Sequence, residues 1–462
     1  MAVARGCLAA AGALAALVVL PATASAHALS GRVETPIPFW AFVAGAAIAV
    51  AVSFVLVIVG DPRPPVAGAE RTATVPRVVR GILRALGLIG WLWIAAQTVI
   101  GGASDADVGS LFLWTYGWVG LAIVSAILGP VWSWLDPFTT LHDLGARAFR
   151  RLGIRGLVPA PWPERLGIWP AVAGFAVFVW IELVLQLRGG RLLGVVLLAY
   201  TGITLLGMAQ YGRDAWRERG EVFSVWFRLL GRMARWAADG PPESGRVRRQ
   251  GAIAGLIAHG WTPAAIVLVS LGTGSIIYDG LSQTQAFFDL FGLPGPLLGT
   301  LLIAAGLGAL IAVVFGVARI TGLPAMGAGL LPVALGYLVA HYLVALLVDG
   351  QRILIAISDP FQLGWDLFGT AFHEPSIDAL PLGLLWTLQV GAVVLGHVAG
   401  AWAGHCAGRT AEGAAPRRAQ VALALLMVGL TTLTLWSLGQ NLVFEDTHSV
   451  PPAAAAIVRA TA

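Results

Sequence analysis

The chain has 462 residues, 58% of them hydrophobic and 11% charged, with 18 tryptophans and 29 basic residues, all arginine, against 24 acids. So apolar a composition excludes a soluble fold of this length. The net charge of +5 calls for no nucleic-acid partner, because the arginines fall in connections that would share one side of a bilayer, within reach of anionic lipid.

Residues 1–26 read as a secretory signal: Arg5 opens it, an apolar stretch runs from about Leu8 to Leu20, and Ala24-Ser25-Ala26 is a small-residue cleavage site. Cleavage there leaves His27 as the mature N-terminus; the alternative is an uncleaved anchor. Apolar runs then lie near 38–60, 86–103, 109–135, 166–187, 191–211, 255–277, 296–318, 328–348, 382–407 and 419–441. Each can cross ~30 Å of hydrocarbon as a helix rising 1.5 Å per residue. The expected fold is therefore all-α, a polytopic bundle of about ten transmembrane helices forming one domain over 27–462.

Alternate connections hold 23 of the 29 arginines, from Arg63 to Arg84, Arg147 to Arg165, Arg213 to Arg249, at Arg319 and from Arg409 to Arg418. Cytoplasmic loops retain Arg during insertion, so this partition predicts both termini outside and a bacterial cell (plasma) membrane location. The short hairpin with Arg188 and Arg191 runs against it. In the inner connection 212–250, Phe223, Trp226, Phe227, Leu230, Met233 and Trp236 recur among arginines at helical spacing, which predicts an interfacial helix near 219–237. The alternative is a segment packed beneath the bundle. Cys7 leaves with the signal and Cys406 remains alone, so a cleaved chain has no intrachain disulfide.

Two patterns concern packing. Gly396, Gly400, Gly404 and Gly408 recur every fourth residue in the ninth run and leave one helix face bare for a neighbour. Asp-Pro-Phe follows both the third and the eighth runs, at Asp136 and Asp359, the positions a five-plus-five inverted repeat would make equivalent.

Ionisable groups inside a bilayer are costly, so Glu182, His341 and His397 are the functional candidates within the runs. Glu182 and His341 both lie roughly 8 to 10 Å below the outer surface and could form a proton-transfer pair or share a metal. Gln97 is a polar neighbour in the outer half of the second run. His397 and His405 are about 12 Å apart along one helix, too far to hold one ion. The outer loop 349–381 carries Asp349, Gln351, Arg352, Asp359, Asp366, His373, Glu374 and Asp378, and would close over the mouth where Glu182 and His341 point. A free His27 could chelate zinc or copper through its amine and imidazole. No phosphate-binding loop, dinucleotide fingerprint, His-Glu-x-x-His, Gly-x-Ser-x-Gly or Cys-x-x-Cys is present.

Several stretches carry a resemblance: His27 followed by Pro36-Ile37-Pro38-Phe39-Trp40, YDGLSQT from Tyr278, GYLVAHYLVALLVDGQ from Gly336, SDPFQLGWDLFGT from Ser358 and GHVAGAWAGH from Gly396. Together they resemble bacterial membrane proteins of the fenitrothion hydrolase or fenitrothion hydrolase-like family. Asp136-Pro137-Phe138 departs from the Asn-Pro-Trp expected of relatives. The resemblance implies hydrolysis of an aryl phosphorothioate ester at the membrane, without assigning catalytic residues.

The expected site draws on His341, Glu182, Asp359 and Gln351 for catalysis and on His27, His341, His373 and Glu182 for a divalent metal, zinc or copper. Its substrate would be a small apolar ester that partitions into lipid. The competing readings are a proton-coupled transporter or permease, with Glu182 and His341 as relay, and a membrane metal-handling subunit or one that docks a soluble partner.

Overall fold

The computed structural model describes residues 39–60, 71–101, 107–154, 158–251, 253–258, 260–376, 380–409 and 416–438. The expected signal, His27 and the C-terminal tail lie outside the described residues. The structure is mostly helical, at 77%.

In chain order, α1 (Phe39–Gly60) leads through strand β1 (Thr72–Thr74) to α2 (Arg77–Ile100) and α3 (Val108–Leu128). Next come α4 (Pro137–Arg151), α5 (Trp169–Leu183), α6 (Gly190–Tyr211), α7 (Arg213–Arg219) and α8 (Val222–Leu230). Strands β2 (Trp236–Ala238) and β3 (Arg246–Arg249) precede α9 (Pro263–Ser282), α10 (Pro296–Thr321), α11 (Leu323–Asp349), α12 (Arg352–Ser358), α13 (Leu382–Ala407) and α14 (Arg417–Leu438). Among the described residues, eight helices are long and apolar enough to cross a membrane: α2, α3, α6, α9, α10, α11, α13 and α14. Besides these, α1 is a 22-residue apolar helix and α5 a 15-residue one.

Local chemistry sets the ends. Thr262 accepts from the Ala265 N–H at 3.2 Å and Pro263 starts α9, a capped first turn with a residue whose missing N–H costs nothing there. Between α10 and α11 the chain reverses at Gly322, with φ +83°, a left-handed conformation glycine takes without a Cβ clash.

The bundle is built around α9, with 83% of its apolar window buried. It packs against α5, α10, α11 and α14. Outer faces of the surrounding helices keep exposed apolar side chains such as Val59, Val99, Leu206 and Leu301, as contact with lipid would require. The glycine face of α13 meets α11: a Cβ on Gly400 would stand 2.4 Å from the Gly329 carbonyl oxygen, and one on Gly396 2.7 Å from that of Pro332. Backbone thus meets backbone, and the neighbour expected for the stripe is α11.

Hydrogen bonds sort the connections into two ends. At one end β1, β3 and β2 form an antiparallel sheet in that order, pairing Thr72 with Arg248 and Trp236 with Arg249. Trp134 Nε1 donates to the Pro242 carbonyl at 2.9 Å, and Arg213 pairs with Asp143 at 3.2 Å and Glu243 at 2.8 Å. Three arginine-rich connections therefore share this end. At the other, the Gly190 N–H donates to Asp107 at 2.8 Å, Trp93 Nε1 to the Pro360 carbonyl at 2.8 Å and the Tyr116 hydroxyl to the Gly350 carbonyl at 2.5 Å.

Two expectations need correction. The inner connection does not carry one helix across 219–237: α8 ends at Leu230, and Trp236 lies in β2. Nor does α8 float at an interface. Trp226, 1% exposed, stacks against Trp118 and Phe175 and abuts Gly272 of α9, so the aromatic stripe faces the core. The two Asp-Pro-Phe sequences are also unlike. Asp136 caps α4, whereas Asp359 ends α12 and folds a loop, with its two oxygens accepting from Leu363 N at 2.8 Å and Gly364 N at 2.9 Å.

Candidate functional site

The arginine-poor end holds a carboxylate–imidazole pair at the last turns of two adjacent helices. His341, on α11, approaches Asp279, on α9, with Nε2 3.0 Å from Oδ2. The Tyr342 hydroxyl donates to the same oxygen at 2.8 Å, and Gln283 Nε2 donates to Oδ1 at 2.7 Å. An ionised carboxylate only accepts, so the His341 proton facing Asp279 sits on Nε2 and the neutral ring keeps its acceptor lone pair on Nδ1. The His341 and Asp279 side chains are 15% and 11% exposed, so the pair is largely enclosed.

Glu182, near the end of α5, belongs to the same neighbourhood, within electrostatic range of Asp279, Tyr342 and Arg188. Its Oε2 is buried and, among the described residues, has no hydrogen-bond partner. The third carboxyl-side group is thus held close to the pair but not bonded to it. Beneath them Gly280 is closely packed: a Cβ there would lie 3.1 Å from Ser437 Oγ and 3.6 Å from His341 Cε1.

Other expected site residues go elsewhere. Gln351 staples the loop between α11 and α13, donating to the Leu347 and Ser376 carbonyls at 2.8 and 2.6 Å, while His373 Nε2 donates to its Oε1 at 3.2 Å. Asp359 spends both oxygens on the loop turn described above, and Ser358 and Asp366 bond to each other at 3.2 Å within the same loop. Gln97 accepts from the Val108 N–H at 2.8 Å and reaches the Pro360 carbonyl at 3.3 Å, pinning α2 to α3 and the loop rather than joining His341. Glu182, His341 and His373 do not assemble as metal ligands: among the described residues no group of three or more His, Cys, Asp or Glu side chains could hold an ion. The remaining expected ligand, His27, lies outside the described residues.

Sequence reasoning missed Asp279 as the partner of His341. The sixth apolar run ends near residue 277, which leaves Asp279 in a connection; α9 continues to Ser282 and carries Asp279 on its last turns. The signal that could have found it is the Asp279–Gln283 spacing of four, which puts two polar groups on one helix face.

A second buried polar group occupies the arginine-rich end. Glu221 caps α8, Oε2 accepting from Ser224 N at 2.6 Å and from Trp132 Nε1 at 3.4 Å, and Oε1 from Phe223 N at 3.1 Å and the Tyr200 hydroxyl at 2.5 Å. Asp136 caps α4 through Phe138 N at 2.8 Å and Thr139 N at 3.3 Å, with Arg217 Nε at 3.5 Å. Burial, and then the Glu221 charge, push the Asp136 carboxyl up to about 6, while Arg217 opposes the rise.

Comparison with family models, with curated proteins and with solved structures finds no match.

Proposed function

We propose that the chain is a multi-pass protein of the bacterial plasma membrane that uses Asp279 and His341 as an acid–base pair to hydrolyse small apolar esters at the outer face. In this reading α1 and α5 join the eight long apolar helices to give ten spans, the signal is removed after Ala26, both termini lie outside and the arginine-rich end faces the cytoplasm. Its surroundings are lipid, with no nucleic acid.

The observation that carries the hydrolytic reading is the orientation of His341. Asp279 fixes the Nε2–H and leaves the Nδ1 lone pair to take a proton from water, as general-base hydrolysis requires. Asp279 then stabilises the imidazolium as the hydroxide bonds to the electrophilic atom of the ester; the bond from that atom to the leaving oxygen breaks, the imidazolium returns its proton to that oxygen and the alcohol or phenol departs, while Tyr342 and Gln283 hold Asp279 in place. A lipophilic ester dissolved in the outer leaflet would reach this depth without crossing water. The resemblance to fenitrothion hydrolase-like proteins points to organophosphorus esters. No step is assigned to zinc or copper, since the described His and acidic side chains do not form a ligand set.

Purified protein should turn over an aryl phosphorothioate ester, and His341→Ala should reduce that turnover by about 10²-fold or more, the usual range for a lost general base, with unfolding nearly unchanged. Equal turnover in wild type and variant would remove the assignment. A second reading, a proton-coupled transporter or permease, is favoured by the buried, unpartnered Oε2 of Glu182 beside the pair. Proton-coupled uptake lost in His341→Ala, with no ester turnover in the wild type, would select it.

A further inference from the structure

One apolar stripe runs the length of α4, and its two halves meet different surroundings. Phe138, Leu141, Gly145, Phe149 and Leu152 fall three or four residues apart, so they share one side of the helix, while Asp143, Arg147, Arg150 and Arg151 take the other. The first turn is inside the bundle. Phe138 is buried there, with its ring 5.1 Å from that of Trp91 on α2 and 5.5 Å from that of Tyr200 on α6. Farther along, the stripe leaves the protein: Phe149 is 54% and Leu152 72% exposed, and Leu144 and Ile154 are exposed as well.

The helix is closed and oriented by its own bonds. The Gly153 N–H donates to the Arg150 carbonyl at 3.2 Å and the Ile154 N–H to the Phe149 carbonyl at 2.9 Å, a double closure that Gly153 permits with φ +69°. This reversal returns the chain beside Phe149 and adds Ile154 to the exposed apolar group. On the polar side Asp143 pairs with Arg213 of α7 at 3.2 Å, which fixes the rotation of the helix. The occupant of the stripe follows from its neighbours and its charge. α4 packs against α2 and α6, whose outward side chains Ile82, Leu86 and Leu206 are exposed and apolar, so the stripe continues a lipid-facing surface. Opposite it Arg147, Arg150 and Arg151 are exposed, and the only acid within α4, Asp143, is already engaged by Arg213. The helix dipole accounts for Arg150 and Arg151 in the last turn, but not for Arg147 or for the exposed apolar side chains.

We propose that α4 is an interfacial helix that seats its apolar stripe in one leaflet at the arginine-rich end and gathers anionic phospholipid headgroups with Arg147, Arg150 and Arg151. The guanidinium groups donate to phosphate oxygens, while Phe149 and Leu152 lie among acyl chains and are removed from water. The place beside the lipid expected of 219–237 belongs in this reading to a helix earlier in the chain. No covalent step is involved, and the inference stands apart from the ester chemistry of the other end.

Fluorescence quenching on the full chain in vesicles of phosphatidylcholine and phosphatidylglycerol tests this. With Cys7→Ser and Cys406→Ser in place, a thiol-reactive fluorophore is attached at Phe149→Cys, and an equal amount of bromine is carried on the acyl chains of one lipid or the other. Brominated lipid should quench the label, and bromine on phosphatidylglycerol should quench it about threefold more than bromine on phosphatidylcholine. Arg147→Gln, Arg150→Gln and Arg151→Gln together should bring that ratio to about one while acyl-chain quenching persists. A label at Arg147→Cys, on the opposite side, should respond to aqueous iodide and little to brominated lipid. Leu152→Cys gives the same reading if the Phe149→Cys chain fails to fold. Equal quenching by the two lipids, or a ratio unaltered by the three Gln substitutions, overturns the anionic lipid as occupant. A label at Phe149→Cys that neither lipid quenches overturns the interfacial helix itself. Reached by iodide, the stripe would lie in water; shielded from iodide as well, it would be covered by a soluble partner or a second copy of the chain.

Discussion

The two ends of the bundle each bury carboxylates, and they treat them in opposite ways. At the arginine-rich end all four oxygens of Asp136 and Glu221 are engaged by backbone N–H groups, hydroxyls, an indole or the Arg217 guanidinium. At the other end Asp279 is saturated, but among the described residues neither a buried oxygen of Glu182 nor the His341 Nδ1 finds a hydrogen-bond partner. Burial of a carboxylate therefore does not mark a site. A saturated carboxylate holds structure together, whereas an unfilled valence beside an oriented imidazole is a group available to move protons.

The sharpest way to break this comparison is to make the same substitution at both ends. In Glu221→Gln the new NH₂ must face one of the donors now bonded to the carboxylate, whichever way the amide is turned, because both oxygens accept from N–H or O–H groups. A buried donor facing a donor, together with the lost charge near Arg228, should cost about 2 to 4 kcal/mol. Denaturant unfolding in detergent would read it, and a loss below about 1 kcal/mol would show that the cap is not structural.

Asp136 gives a smaller effect with a definite sign. Its folded pKa of about 6 lies above the ordinary 3.8, so the folded state binds the proton more tightly than the unfolded chain. Its contribution to stability is present below about pH 4 and is lost as pH rises through about 6, amounting to on the order of 2 to 3 kcal/mol. Asp136→Asn keeps a side chain that caps well and removes the titration. The difference in unfolding midpoint between variant and wild type should therefore shift in favour of the variant from pH 5 to 7.5. A difference independent of pH would place the Asp136 titration elsewhere.

These residues also show what the sequence could and could not reveal. Apolar length and the arginine partition are local signals, and each of the ten apolar runs contains a helix, with the first three arginine-rich connections gathered at one end. Which carboxylate faces His341 depends on helix rotation, and a helix apolar on all sides gives no periodicity from which to read rotation. Matching depths therefore paired His341 with Glu182, while the bonded partner is Asp279. The aromatic stripe of 223–236 was legible as one face of a helix. Its arginines suggested lipid, but burial of Trp226 against Gly272 depends on a glycine in a distant helix that no local pattern connects to it. Likewise Asp359 and Gln351 looked catalytic because they are polar and lie in a long loop, whereas a loop of that length needs side chains to satisfy its own backbone.

The smallest expected effect completes the pair begun with Glu221. Glu182→Gln exchanges a carboxylate whose Oε2 has no partner, and which stands within range of the negative Asp279, for a neutral amide of nearly the same shape. No hydrogen bond to a described residue has to be broken, so stability should change by less than about 1 kcal/mol. Activity should respond differently, because the variant removes a titratable carboxyl group beside the pair, and with it that group's share of the pH profile of turnover, without touching the Asp279–His341 bond. Stability would be compared by denaturant unfolding alongside Glu221→Gln, and turnover across pH 5 to 9 on the same preparation. A loss of stability as large as that of Glu221→Gln would mean that Glu182 is held by partners in the folded protein, and the contrast between the two ends would fall with it.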